Sequence, residues 1–266
     1  MSMNRASRSG EVISLAEQQP PPAGITHGEI AGPEYKARTM PLLEHLQEFR
    51  LRLFISLVVV AVTSAVSWFY AGRAVDFLVR PVGKLVFLTP GEAFFTYLRV
   101  SVFMGFLLGL PVIAHQAWLF IRPALREKER KLVLFLGPVS MMLFLAGAAF
   151  SFYFVLPAAI KYFTGFATAQ LQPLFSLGAY ISFIISFLLP FGLVFELPLI
   201  LIVLAKMEII NAAFLESKRK IFVVLAFIIG ALAAPTPDIF SQAMVALPLL
   251  VFYEVSIFLI KYFLCR

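Results

Sequence analysis

The sequence predicts an all-α membrane protein with six transmembrane helices, and three observations carry that prediction. Hydrophobic residues make up 61% of the chain and charged residues 14%, with a mean hydropathy of +0.90, which excludes an ordinary water-soluble domain. The stretch Ile181–Leu204 contains one ionisable side chain, Glu196. As a helix it is about 36 Å long, enough to cross a hydrocarbon core of about 30 Å. Lys and Arg also segregate by loop. Seventeen fall in the segments through Arg52, from Arg122 to Lys131, from Lys206 to Lys220 and at Lys261 and Arg266, against five at Arg73, Arg80, Lys84, Arg99 and Lys161. That bias predicts both termini on the cytoplasmic side, or its topological equivalent. It also accounts for the net charge of +7 without nucleic acid as a partner.

Residues 1–40 hold Pro20, Pro21, Pro22, Gly24, Gly32 and Pro33, scattered charge and no apolar run of signal-peptide length, so they read as a disordered cytoplasmic tail. Residues 41–263 form the membrane domain, and 264–266 its cytoplasmic end. At 41–53 the apolar residues Leu42, Leu43, Leu46, Phe49 and Leu53 recur at helical spacing among charged ones. This predicts an amphipathic helix that lies in the interface and turns into the first span, Leu51–Tyr70, which ends in the aromatic belt Trp68, Phe69 and Tyr70. The second span covers Phe94–Phe120, with Trp118 at its boundary, and the third Leu132–Leu156. The fourth is Ile181–Leu204.

The fifth and sixth segments, Ile221–Ala234 and Ala243–Ile260, are short and joined by a proline-rich turn. Fourteen residues reach only about 21 Å, so the fifth either thins the bilayer or belongs to a re-entrant hairpin. Two short spans are the expectation, because the turn lacks the glycines of a pore loop.

The chemistry legible in the residues is that of binding. No nucleotide-binding loop, G-x-S-x-G elbow or H-E-x-x-H motif occurs, so no enzyme and no cofactor are expected. His45 and Glu48, three apart, lack the further ligands a metal needs, and His27 and His115 stand elsewhere. Cys265 is the only cysteine, which rules out a disulfide framework. Glu48, before the first span, and Glu129, before the third, both lie at the cytoplasmic boundary. Two carboxylates there could grip guanidinium groups bidentately, although the charge run Arg122–Lys131 also fits a solvated loop.

Glu196 lies ten residues before Lys206, about 15 Å from the polar boundary and close to mid-bilayer. A carboxylate at that depth costs about 3 kcal/mol if it faces lipid, so it is expected to face the bundle interior, a partner helix or water. It is either a neutral structural group bonded to a neighbouring helix or an intramembrane contact point. Pro190 and Pro198 free the carbonyls of Ser186 and Val194 beside it. Asp238 reads as the N-cap of the sixth helix. Glu254 and Lys261 share a helix face, with the lysine snorkelling outward in an interfacial role.

Five stretches taken together, LLEHLQEFRLRL (42–53), PGEAFFTYLRVS (90–101), IRPALREKERK (121–131), FGLVFELP (191–198) and PTPDIFSQ (235–242), resemble the TatC family, the multi-spanning receptor subunits of the twin-arginine protein translocase. The resemblance covers Pro41 to Phe263. It implies a concave six-helix bundle that recognises signal peptides bearing two adjacent arginines. Such a subunit works with small single-span partners, TatA and TatB-like, in a self-associating complex in the bacterial plasma membrane or the thylakoid, driven by the proton-motive force and moving folded proteins.

Matched residue by residue, Glu48 and Glu129 correspond to the signal-binding acids, with His45, Arg50, Arg126 and Lys131 beside them. Glu196 corresponds to the intramembrane acid, and Gln242, close to Asp238, to a polar contact for a partner helix. The chain departs from relatives in reading Ala234-Pro235-Thr236-Pro237 where a threonine often precedes a double proline. The alternative from another class is a proton-coupled small-solute transporter that titrates Glu196.

Overall fold

The computed structural model describes residues 42–83, 85–124, 132–168, 170 and 173–264. The predicted tail and the loop residues Arg126, Glu129 and Lys131 lie outside the described residues, as does Cys265. The described elements are α1 (Leu42–Trp68), α2 (Ala71–Val79), α3 (Glu92–Ile121), α4 (Leu132–Phe150), α5 (Leu156–Thr164), α6 (Leu177–Lys206), α7 (Ala212–Ala233) and α8 (Ile239–Leu264). A π-helical turn, Ser151–Val155, carries α4 into α5, so the third apolar span runs from Phe135 to Thr164. Five described helices are long and apolar enough to cross a membrane: His45–Trp68, Glu92–Ile121, Phe135–Thr164, Leu177–Lys206 and Ile239–Tyr262.

The helix ends show where periodicity under-reads helices. The amphipathic run at 42–53 does not turn before the first span. Leu42–Trp68 is one helix with neither proline nor glycine to interrupt its hydrogen-bond ladder. The predicted fifth segment belongs to α7, which has 22 residues, but its first turns carry Glu216, Lys218, Arg219 and Lys220 and only the remainder, from Ile221, is apolar. Asn211 caps it, accepting the Phe214 N–H at 2.7 Å. The sixth, α8, reaches 26 residues by adding turns outside the apolar run. Asp238 caps it as predicted, its Oδ1 accepting the Ser241 N–H at 2.8 Å while Thr236 Oγ1 donates to Oδ2 at 2.5 Å. Arg219 on α7 pairs with Glu254 on α8 at 2.9 Å, and Lys261 on α8 with Glu216 on α7 at 3.3 Å. Glu254 and Lys261 thus each reach across the hairpin.

Helix α6 is the hub. It packs against α3, α4, α7 and α8, and Ile181, Ile184, Phe187 and Phe191 on it are fully buried. By contrast α1 packs chiefly on α3 and leaves Leu57, Val58, Val62 and Val66 exposed, as a helix bordering lipid does. The contact between α1 and α3 is close because Gly105 and Gly109 are four apart on α3. A methyl group at Gly105 would overlap the backbone of Ser64, and Thr63 Oγ1 donates to the Gly105 carbonyl at 2.7 Å. Small residues at such a crossing let dispersion contacts replace the hydrophobic drive that lipid removes. Gly147 on α4 plays the same part against the Phe191 carbonyl on α6.

On the face opposite the start of α1, Val86 and Ser176 form a bridge, with the Leu177 N–H donating to the Val86 carbonyl at 2.8 Å. Glu92, at the start of α3, ties the two connections together. Its Oε2 accepts the Leu88 N–H and its Oε1 the Gly178 N–H in the first turn of α6, each at 2.6 Å. A carboxylate at a helix N-terminus also complements the helix dipole. An apolar cleft of about 650 Å³ is lined by Arg73 and Phe77 of α2, Val100, Phe103 and Leu107 of α3, and Leu145 and Ala148 of α4.

Candidate functional site

The predicted site residues fall into two groups. The first is built where α1 begins and α3 ends. Glu48 and Arg52 are one turn apart, glutamate first, the favourable order for a helical ion pair. Arg52 Nε donates to Glu48 Oε1 at 3.0 Å, its Nη2 donates to the same oxygen, and its Nη1 donates to Gln116 Oε1 on α3 at 3.1 Å. Glu48 Oε2 is buried and has no hydrogen-bond partner among the described residues. His45 stacks on Phe120 of α3 with ring centroids 4.3 Å apart, and Phe49 meets the same ring at 5.5 Å. Gln116 and Phe120 are themselves one helical turn apart, so a single stripe of α3 holds His45, Phe49 and Arg52 in register. Arg50 stands exposed beside them. Arg126, Glu129 and Lys131 fall outside the described residues.

Arg52, Gln116 and Phe120 were missed as site residues by the sequence reading. The i, i+4 spacing of Glu48 and Arg52 was the available signal. Nothing in the sequence links either to Gln116, sixty-four positions away from Arg52.

The second group is intramembrane. Glu196 is 9% exposed, and Ser140 Oγ on α4 donates to its Oε1 at 2.9 Å. The acid faces the bundle, and its partner is a hydroxyl, not an opposite charge. Gln242 Nε2 donates to the Phe227 carbonyl on α7 at 2.7 Å, at the place where Gly230 lets α7 and α8 approach. Asp238 and Thr236 lie beside it in the cap described above. Burial opposes ionisation of Asp238, but hydrogen bonds from Thr236 and Ser241 outweigh it and hold the carboxyl below its ordinary value. Among the described residues no three His, Cys, Asp or Glu side chains converge in a way that would hold a metal.

Boundary acid, intramembrane acid and capped α8 all stand on a stretch that matches a family model. Residues 44–248 match the model of TatC, the Sec-independent protein translocase protein. The chain belongs to the TatC family. It is 40% identical over 229 residues to the Sec-independent protein translocase protein TatC of Carboxydothermus hydrogenoformans, covering 85% of this chain and 94% of that protein. It is 40% identical over 230 residues to the TatC of Aquifex aeolicus, covering 84% and 95%.

A crystal structure of the twin-arginine translocase receptor TatC superposes with a TM-score of 0.73 at 39% identity, over 82% of this chain and 98% of that one. The family assignment makes this TatC chain a component of the Sec-independent protein translocase and a transport protein rather than an enzyme. Between the two functional readings of the sequence, it decides for translocation over solute transport.

Proposed function

We propose that this chain binds the paired arginines of twin-arginine signal peptides through Glu48 and Glu129, with His45, Arg50, Arg126 and Lys131 as the further signal-binding residues. The observation that carries the reading is that Glu48 already binds a guanidinium, that of Arg52, and still has an oxygen unmatched among the described residues. A buried acceptor without a partner costs about 1–3 kcal/mol, which a donor supplied by a ligand recovers. Arginine is the donor that remains charged at any physiological pH and presents its N–H groups in a fixed fork.

Charge-assisted bonds at such a rim are worth about 1–3 kcal/mol each, so the apolar part of the signal supplies much of the affinity. Glu196, Gln242 and Asp238 are the polar positions we assign to contacts with small single-span partner helices. The complex acts in the bacterial plasma membrane or thylakoid, with both termini on the cytoplasmic or stromal side, and draws on the proton-motive force.

The test is site-specific crosslinking of a twin-arginine signal peptide to Glu48→Ala and Glu129→Ala chains. We expect crosslinking to be lost while membrane insertion is intact. Undiminished crosslinking in both variants removes the assignment.

A further inference from the structure

We propose that Arg52, braced by Gln116, is the positioning residue of the arginine-binding rim, fixing Glu48 so that a ligand meets it through Oε2 alone. The inference rests on the reading of Glu48 as an acceptor for signal-peptide arginines and adds to it the group that orients the acceptor.

Three features point the same way. First, both bonds from Arg52 converge on Oε1, although a guanidinium facing a carboxylate freely takes one oxygen with each N–H in a parallel pair. An arginine four residues along the same helix approaches from the side and is confined to the near oxygen. Second, the third donor of Arg52 is spent on Gln116, which ties the side chain to α3 and stops it from swinging round to share Oε2. Third, Oε2 is left buried and, among the described residues, unmatched, an arrangement that ordinary packing avoids and that a donor-bearing ligand completes once it displaces the side chains covering that oxygen.

The side-chain entropy of Glu48 is thereby lost on folding rather than on binding, which is how a braced carboxylate gains affinity over a free one. The arrangement also alters the expected stoichiometry of bonds. With Oε1 occupied from within, Glu48 offers a ligand one oxygen, so the bidentate grip expected from the sequence is not open at this carboxylate. Arg52 touches the ligand's acceptor and not the ligand.

The experiment measures binding of a fluorescent twin-arginine signal peptide to the full chain in lipid nanodiscs, for the unaltered protein, Gln116→Leu, Arg52→Lys and the double variant. Gln116→Leu leaves the charge unchanged and removes only the brace. Arg52→Lys keeps the charge but has no second arm for Gln116. We expect each single variant to weaken binding about three- to tenfold, the cost of immobilising one freed side chain on binding. The double variant should be no weaker than either single one, because both remove the same link.

A residue that merely helped the fold would give losses that add, and additive losses therefore overturn the inference. Unchanged affinity overturns it also. So does tighter binding in either single variant, which would make Arg52 a competitor for the site. If the unaltered chain binds no peptide, the reading of the rim as an arginine site fails, and this inference with it. If the unaltered chain binds and Glu48→Gln does not, while the brace variants match the unaltered chain, only the role of Arg52 fails.

Discussion

Replacing Glu196 with methionine tests whether the intramembrane acid is kept for stability or for use. The side chain is 9% exposed, and among the described residues its one cross-helix bond is from Ser140 Oγ at 2.9 Å. Methionine has nearly the same volume, so no cavity opens. The loss is one interhelical hydrogen bond, worth about 0.6 kcal/mol within a membrane and at most about 1.7. Ser140 can turn its hydroxyl to a carbonyl of its own helix, so its desolvation cost is small. The gain is relief of a carboxyl held in apolar surroundings by a single bond, about 1–3 kcal/mol.

Gain and loss together leave the variant neutral to about 2 kcal/mol more stable, an upward shift of a few degrees in thermal midpoint at about 2–4 °C per kcal/mol. Thermal unfolding of the protein in nanodiscs reads the stability, and export of a folded twin-arginine precursor into membrane vesicles reads the function. The expected result is a chain at least as stable as the parent but defective in export. A variant that unfolds more readily by over 1 kcal/mol yet still exports would show that the acid holds the bundle together, and would refute the reasoning.

Other consequences are open to simpler measurements. Gly105→Val forces a side chain into the Ser64 backbone where α1 crosses α3, and should cost about 1–3 kcal/mol of stability, read as a lowered midpoint with loss of Thr63 bonding to the Gly105 carbonyl. Asp238→Ala removes the cap of α8 and should cost about 1 kcal/mol, while Asp238→Asn keeps most of it. Because hydrogen bonds hold the folded-state value of Asp238 below the ordinary one, its contribution is present above about pH 4 and is lost as the pH falls through the lowered value. Unfolding midpoints taken from pH 7 to pH 3 should therefore drop less steeply in the asparagine variant. Glu92→Gln weakens the bonds to Leu88 and Gly178, and hydrogen exchange at those two amides should accelerate ahead of the rest of the bundle.

What the sequence determined by itself was everything that depends on solvent and on local spacing. Apolar runs longer than a bilayer must be satisfied internally, so helices were the available answer, and the asymmetric placement of Lys and Arg gave an expectation of orientation. Asp238 was legible as a cap because a cap bonds its own next turn, and Glu196 stood out because a lone acid in 24 residues is costly wherever it points.

What only the tertiary structure decided is which groups meet across helices. That Glu196 finds Ser140, that Arg52 reaches Gln116 while holding Glu48, and that Glu92 joins α3 to α6 each depend on helix rotation and crossing distance. Those are fixed by contacts such as Gly105 on Ser64 and Gly147 on Phe191, between residues about 40 positions apart in the chain. In lipid the outward faces of these helices are apolar as well as the buried ones, and hydrophobic periodicity, which points soluble helices toward their core, carries little of that information.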